Sequence, residues 1–347
     1  MDRVGASNRV PGFVRTIVVC VLGVGIWSCV LAAISVPASA QAKLELATLR
    51  LDWLASGYHV PFFLALERGY YREQGIDLQI FDGKGSTTTI QVVASGADTF
   101  GAANLTTMTL GISRGMPLVA VAGLIQKSPD SVISLAGAGI STPKDLEGKR
   151  GGFVPTSASD RIFPAFAKSA GVDIQKITKL QIDSSSRYSV LLQGNADFVI
   201  GWSFTDAYKI SKQKPIAPPL LFSDYGVNVL SIGVVVSKDT LANRSSLVKR
   251  FLVATVKGID QAVRSPEAAV DATVKARPSA DRDALLEAAK KLSGYLQTKS
   301  SESHPYGWMA KQDWEASKHI LVEYLGVNDS VSTDSLYTNA FLPLQNK

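Results

Sequence analysis

From Ala47 onward, short apolar runs alternate with helical patterns at close spacing, and this rhythm most narrows what the chain can fold into. ATLRLDW (47–53) is followed by the helical PFFLALERGYYREQG (61–75) and the apolar IDLQIF (76–81). A Gly/Ser/Thr loop then leads to TTIQVVASG, DTFGAAN, TTMTLGISRG and PLVAVAGLI. Strands that alternate with helices pair in parallel and must be covered on both faces, so an α/β fold is expected. The pattern restarts at PKDLEGKRGGFV (143–154) and runs through ASDRIFPAFAKSAG, ITKLQI, SRYSVLLQG, ADFVIGW, TDAYKISKQ and PPLLFSD. The halves echo each other: Gly96 closes one helix before a strand ending at Asn104, and Gly194 does the same before Trp202.

VLSIGVVVSKD (229–239) follows with no local helix to return it, as a strand carrying the chain back to the first half would. From Asn243 to Leu325 the pattern is almost wholly helical. The expected architecture is two doubly wound sheets joined by two hinge crossings, with a helical C-terminal region. One lobe is discontinuous, 41–136 plus 229–347, and the other, 137–228, is inserted into it.

The first forty residues stand apart. Arg3, Arg9 and Arg15 precede the uncharged run TIVVCVLGVGIWSCVLAAISV, and Pro37-Ala38-Ser39-Ala40 supplies a small-residue cleavage site before Gln41. That is the pattern of a secretory signal. Both cysteines, Cys20 and Cys29, fall inside it, so the exported chain is expected to contain no disulfide. Removing three Arg and one Asp lowers the formal charge from +6 to +4. The remaining charges are dispersed, which points away from nucleic acid.

In an open α/β sheet, ligands sit beyond the carboxyl ends of the strands. The segments there are Asp52 to His59, Gly83 to Thr88, Asn104 to Thr107, Thr156 to Asp160, Trp202 to Asp206, and Asp224-Tyr225. They offer two indoles, two phenol rings, an imidazole, hydroxyls and carboxylates, with Lys84 and Arg161 as the cations. A sulfonate or phosphate needs guanidinium groups and helix N-termini. A flat nitrogen heterocycle needs aromatic faces and acceptors for its amino hydrogens. The candidate binding residues are Trp53, His59, Ser86, Thr87, Asn104, Ser157, Trp202, Asp206 and Tyr225, with a flat heterocycle favoured and the Ser86-Thr87-Thr88 helix start leaving an anion open; core filling by Trp53, a structural hydrogen bond by His59 and helix capping by Ser86 and Ser157 stand beside this reading. No phosphate-loop spacing, G-x-S-x-G elbow or H-E-x-x-H pair occurs, and the three histidines are scattered. No catalytic residue, metal or cofactor is expected.

Asp52-Trp53, His59, Pro61 and ALERGYYREQGIDLQI resemble the opening of periplasmic solute-binding proteins for thiamine pyrimidine precursors. That group is related to the sulfonate, taurine and nitrate binders of ABC importers. The likeness continues through GKGSTTTIQVVASGADTFGAAN, STPKDLEGKRGGF and YGWMAKQDW. It implies the two-lobed type II periplasmic binding fold, a monomer that closes on a small molecule and an ABC permease partner in the inner membrane. It also implies that Trp53 and Trp202 stack on the ring, that His59 and Asn104 make polar contacts, and that Tyr225 borders the pocket. Asp206 stands where relatives often carry an acidic residue. Similar proteins bind riboflavin. Some eukaryotic relatives synthesise the pyrimidine and carry a cysteine-rich segment, which the exported chain lacks, so an enzyme is not expected.

Overall fold

The computed structural model describes residues 43–343 apart from Thr156. The signal with its two cysteines lies outside the described residues. Among the described residues, no helix is long and apolar enough to cross a membrane.

Among the described residues, ten strands form two sheets. In chain order they are β1 (Glu45–Arg50), β2 (Ile76–Phe81), β3 (Phe100–Asn104), β4 (Leu118–Ile125) and β5 (Asp130–Ser134). These are followed by β6 (Arg150–Phe153), β7 (Thr178–Gln181), β8 (Phe198–Trp202), β9 (Leu220–Leu221) and β10 (Ile232–Ser237). The first sheet runs β2-β1-β3-β10-β4 and the second β7-β6-β8-β5-β9. Each has three parallel strands, then one antiparallel strand contributed from across the molecule: β10 against β3 and β4, and β5 against β8 and β9. The sheets thus share one topology, and the echo between Asn104 and Trp202 has a physical basis. Each of these residues ends the parallel strand that borders the antiparallel one.

Helices form where the apolar periodicity demands. The run at 61–75 is two helices, Val60–Glu67 and Tyr70–Glu73, because Gly69 adopts φ 75°, which interrupts the helix at little cost only for glycine. The helix Ser245–Arg264 presents Leu247, Phe251 and Leu252 to the first core, where Phe251 stacks on Phe100 with centroids 3.8 Å apart. The second core is built on Phe163, Phe166, Phe198 and Phe222, with Phe166 and Phe222 stacked at 4.5 Å.

Two expectations need correction. The inserted half begins at β5, which already pairs with β8 from Asp130, rather than at 137. Only residues 126–129 separate β4 from β5, so the crossing is a short turn like any between neighbouring strands. The C-terminal region does not serve the first half alone. The helix Lys311–Leu325 buries Trp314 in one half, stacked on Tyr337 at 5.3 Å, and Ile320, Leu321 and Leu325 in the core of the other.

Candidate functional site

The carboxyl ends of β1 and β8 face one cavity of about 460 Å³. One wall carries Trp53, Tyr58 and Asp82 with the segment Ser279–Leu285; the other carries Tyr188, Trp202, Asp206, Tyr208 and Lys209. Trp202 also lines a second, inner cavity of about 90 Å³ with Asn104, Thr106, Asp130, Ser159 and Ser231.

Trp53 is 56% exposed, on the cavity rim. An indole left open beside a concave site is not serving a core. Its position is set by backbone bonds: the Gly83 amide donates to the Trp53 carbonyl (3.1 Å) and the Gly85 amide to the Asp52 carbonyl (2.7 Å). A Cβ on residue 83 would lie 2.0 Å from the Leu51 carbonyl oxygen, so only glycine permits this approach.

Asp52, Tyr58 and His59 form a buried brace behind the wall. Tyr58 donates to both Asp52 carboxylate oxygens at 3.2 and 3.3 Å. The Ser56 amide donates to His59 Nδ1 (3.1 Å), which fixes the tautomer, leaving Nε2–H to donate to Asp52 Oδ1 at 2.9 Å. His59 is 0% exposed and lines neither cavity, which places it in the structural hydrogen-bonding role. Burial, then the Asp52 charge, push the Tyr58 phenol well above its usual range, so it remains a donor.

On the opposite wall, Asp206 accepts from the Trp202 amide (2.7 Å) and from the Tyr188 hydroxyl, with Arg187 3.8 Å away. The two halves touch directly beside the cavity. Trp202 packs on Tyr58 with centroids at 5.6 Å, Phe204 on Tyr295 at 4.8 Å, and Ser203 shares a 2.6 Å hydrogen bond with the Tyr295 hydroxyl.

The cations at the outer cavity are mostly spent. Arg277 donates to Asp82 (2.9 and 3.1 Å), to the Ile80 carbonyl and to its neighbour's carbonyl. Lys209 has no ion pair among the described residues. Carboxylates prevail near Trp202. Asp130, Asp160 and Asp206 lie in one neighbourhood, and Arg187 reaches Asp160 (3.4 Å) and Asp206. Burial raises the carboxyl groups of Asp130 and Asp160 above the usual range, against the lowering effect of their hydrogen bonds.

Of the nine candidates, Trp53, Trp202 and Asp206 line the outer cavity and Asn104 the inner one. The other five line neither. Ser86 accepts from the Asn104 backbone amide (3.0 Å), which ties the helix Ser86–Ala94 to the end of β3, and Thr87 is exposed one residue on. Ser157 caps the helix Ala158–Ser169, accepting from the Asp160 amide at 3.4 Å. Tyr225 packs its ring on Phe166 at 5.5 Å in the second core. Sequence reasoning placed Tyr58 in a site segment without naming it a candidate, and missed Tyr188, Tyr208 and the segment from Ser279. Tyr58 sits in the diagnostic first loop, where its place beside His59 could have marked it; the other three reach the site by tertiary packing of helices, which no local pattern marks.

Comparison with known proteins agrees with this geometry. A family model described as NMT1/THI5 like matches residues 56–269, well over half of the chain. The formylaminopyrimidine-binding protein of Halalkalibacterium halodurans is 25% identical over 310 residues, covering 88% of this chain and 92% of its own. The riboflavin-binding protein RibY of Chloroflexus aurantiacus is 22% identical, covering 88% of each. The 4-amino-5-hydroxymethyl-2-methylpyrimidine phosphate synthase of Legionella pneumophila is 24% identical, covering 85% of this chain and 92% of its own. Among solved structures, the periplasmic aliphatic sulphonate binding protein SsuA of Escherichia coli superposes with a TM-score of 0.66 at 13% identity, over 87% of this chain and 95% of its own. The fold is that of the periplasmic binding proteins, and the chain belongs to the NMT1/THI5-like family.

Proposed function

We propose that this chain is an extracytoplasmic substrate-binding protein that delivers an aminopyrimidine-type thiamine precursor to an ABC permease. One observation carries the reading: a cavity walled by both halves, faced with Trp53, Tyr58, Tyr188 and Trp202, holding Asp206 and a guanidinium already committed to Asp82. Such a site holds a flat ring by its faces, with about 0.5–1.5 kcal/mol per aromatic contact beyond the area buried, and takes N–H groups at its edge. An oxyanion would meet carboxylates where it needs donors. Closure of the two halves over the ring shifts the population toward the form the permease recognises. The N-terminal signal would direct export, and the mature chain, beginning at Gln41, would act as a monomer.

A larger flat heterocycle is the second reading. The outer cavity has room for roughly fifteen water volumes at about 30 Å³ each, more than one substituted pyrimidine ring fills. The likeness to RibY points the same way.

Thermal-shift and calorimetric titrations with formylaminopyrimidine, 4-amino-5-hydroxymethyl-2-methylpyrimidine, riboflavin and taurine separate these readings. The pyrimidines are expected to raise the melting temperature, with micromolar binding corresponding to about −8 kcal/mol. Stabilisation by taurine with none by the pyrimidines would refute the assignment. A pyrimidine product formed by the purified chain with pyridoxal phosphate and iron would overturn it in favour of a synthase.

A further inference from the structure

The inner cavity contains groups that the protein itself leaves unanswered. Thr106 is 3% exposed and Ser231 5%, yet neither hydroxyl has a hydrogen-bond partner among the described residues, and both line this space. Both hydroxyls face this space and are free to hydrogen-bond a group that enters it. The Asn104 side-chain nitrogen, Nδ2, also has no partner among the described residues, because only Oδ1 of that side chain is engaged, by the Thr107 amide at 3.1 Å. These three come from the first half and from the crossing into β10.

The second half contributes Asp130, 8% exposed. Ser159 donates to its Oδ1 at 2.5 Å and Ser128 to its Oδ2 at 2.9 Å, which holds the carboxyl rigidly at the cavity edge. The Trp202 indole N–H also bonds to this carboxyl, which leaves one acceptor position for an incoming N–H. The surroundings also fix the sign of what can enter. The helices Leu105–Ile112 and Ala158–Ser169 both begin here, and helix N-termini ordinarily draw anions. Asp130 already supplies that negative charge, with Asp160 and Asp206 close by and Arg187 held between those two.

We propose that the inner cavity is a binding subsite for a small neutral or cationic nitrogen group, one that donates N–H to Asp130 while Asn104, Thr106 and Ser231 serve its remaining polar atoms, and that Asp130 excludes sulfonates and other oxyanions. The amidine-like edge of an aminopyrimidine, an amino group beside a ring nitrogen, has this chemistry; that identification rests on the function proposed above. The space, about three water volumes at roughly 30 Å³ each, suits such an edge and not a whole ring. Asp130 thereby becomes the specificity-determining residue within a family fold that also serves anions.

The test uses the mature chain and Asp130→Asn, which preserves shape and removes charge. Calorimetry with 4-amino-5-hydroxymethyl-2-methylpyrimidine is expected to show affinity falling about 10–100-fold in the variant, as for the loss of a buried charged hydrogen bond. Wild-type affinity in a folded Asp130→Asn would overturn the subsite. A second arm needs no natural ligand and no variant. Acetamidinium, small enough for this cavity, is expected to stabilise the wild-type chain against heat, whereas acetate, sulfate and taurine are not. Stabilisation by the anions but not by acetamidinium would overturn the proposal even if Asp130→Asn failed to fold. If the wild-type chain ignores the pyrimidine yet responds to acetamidinium, the subsite stands and the assigned ligand falls.

Discussion

Phe204→Ala tests whether the contact between the halves is a latch or part of a permanent core. Phe204 follows β8, in the second half by sequence, but its ring is 2% exposed within the core of the first. It lies 6.4 Å from the Tyr58 ring, 4.8 Å from Tyr295 and 5.7 Å from Trp202. Truncating a buried phenylalanine costs about 3–5 kcal/mol. Trp202 belongs to the same half and travels with Phe204, so opening parts the ring from Tyr58 and Tyr295. Assigning that pair about half of the total leaves roughly 2 kcal/mol that exists only when the halves meet. Tenfold corresponds to about 1.4 kcal/mol, so the closed-to-open ratio should fall about 30-fold. For a ligand-free protein that is mostly open, apparent affinity weakens by the same factor. Calorimetry with the best ligand, read beside small-angle scattering, measures both changes. Phe166→Ala, confined to the second core against Phe222, is the control that should lower melting temperature without weakening binding. If Phe204→Ala instead lowers the ligand-free melting temperature by several degrees and leaves affinity intact, the ring is ordinary core and the latch is wrong.

Other outcomes follow from the same geometry. His59→Ala strands the Ser56 amide and leaves Asp52 Oδ1 to Tyr58 alone, at about 1–3 kcal/mol; differential scanning calorimetry should show a melting temperature lower by several degrees, and an unchanged one would remove the brace. Trp53→Ala should weaken ligand binding about 2–10-fold, the value of one aromatic contact, with little effect on stability because the indole is half exposed. Equal stability loss in Trp53→Ala and Trp314→Ala would contradict that. Hydrogen bonds from Lys144 and then from the Asp173 amide hold the Glu147 carboxyl down at about 2, from an ordinary 4.5. Its folded-state value is depressed, so its contribution is complete above about 4.5 and vanishes as pH falls toward 2. Acid melts between those limits should show the wild type losing more stability than Glu147→Gln, and parallel curves would refute the linkage.

Much of the fold was legible because it rests on local rules. Alternating apolar runs located the strands, Gly96 and Gly194 the helix ends, and the unreturned run at 229–239 the strand β10 that crosses back. What escaped was set by distant packing. The path from β4 to β5 is only the four-residue turn at 126–129, and a turn that short does not announce a change of half. The apolar face of Lys311–Leu325 is divided between two cores, which its periodicity cannot announce. At the site, the aromatic ends of β1 and β8 were visible as unusual residues at strand termini. His59 and Tyr225 were not assignable, because an imidazole or a phenol ring serves a hydrogen-bonded brace or a core as readily as a ligand. Asp130 was hidden by the misplaced boundary: read as part of the wrong half, it had no reason to meet Ser159.

The helix that spans both cores constrains how the jaws can move. Ser317, midway along Lys311–Leu325, accepts from the Leu230 amide at 3.0 Å within the return crossing. Arg161, from the second half, reaches the Leu325 carbonyl at 3.1 Å near the helix end. A swing pivoting far from Ser317 would tear one anchorage or the other, so the rotation axis must pass near it, and the helix acts as a third strap limiting the gape.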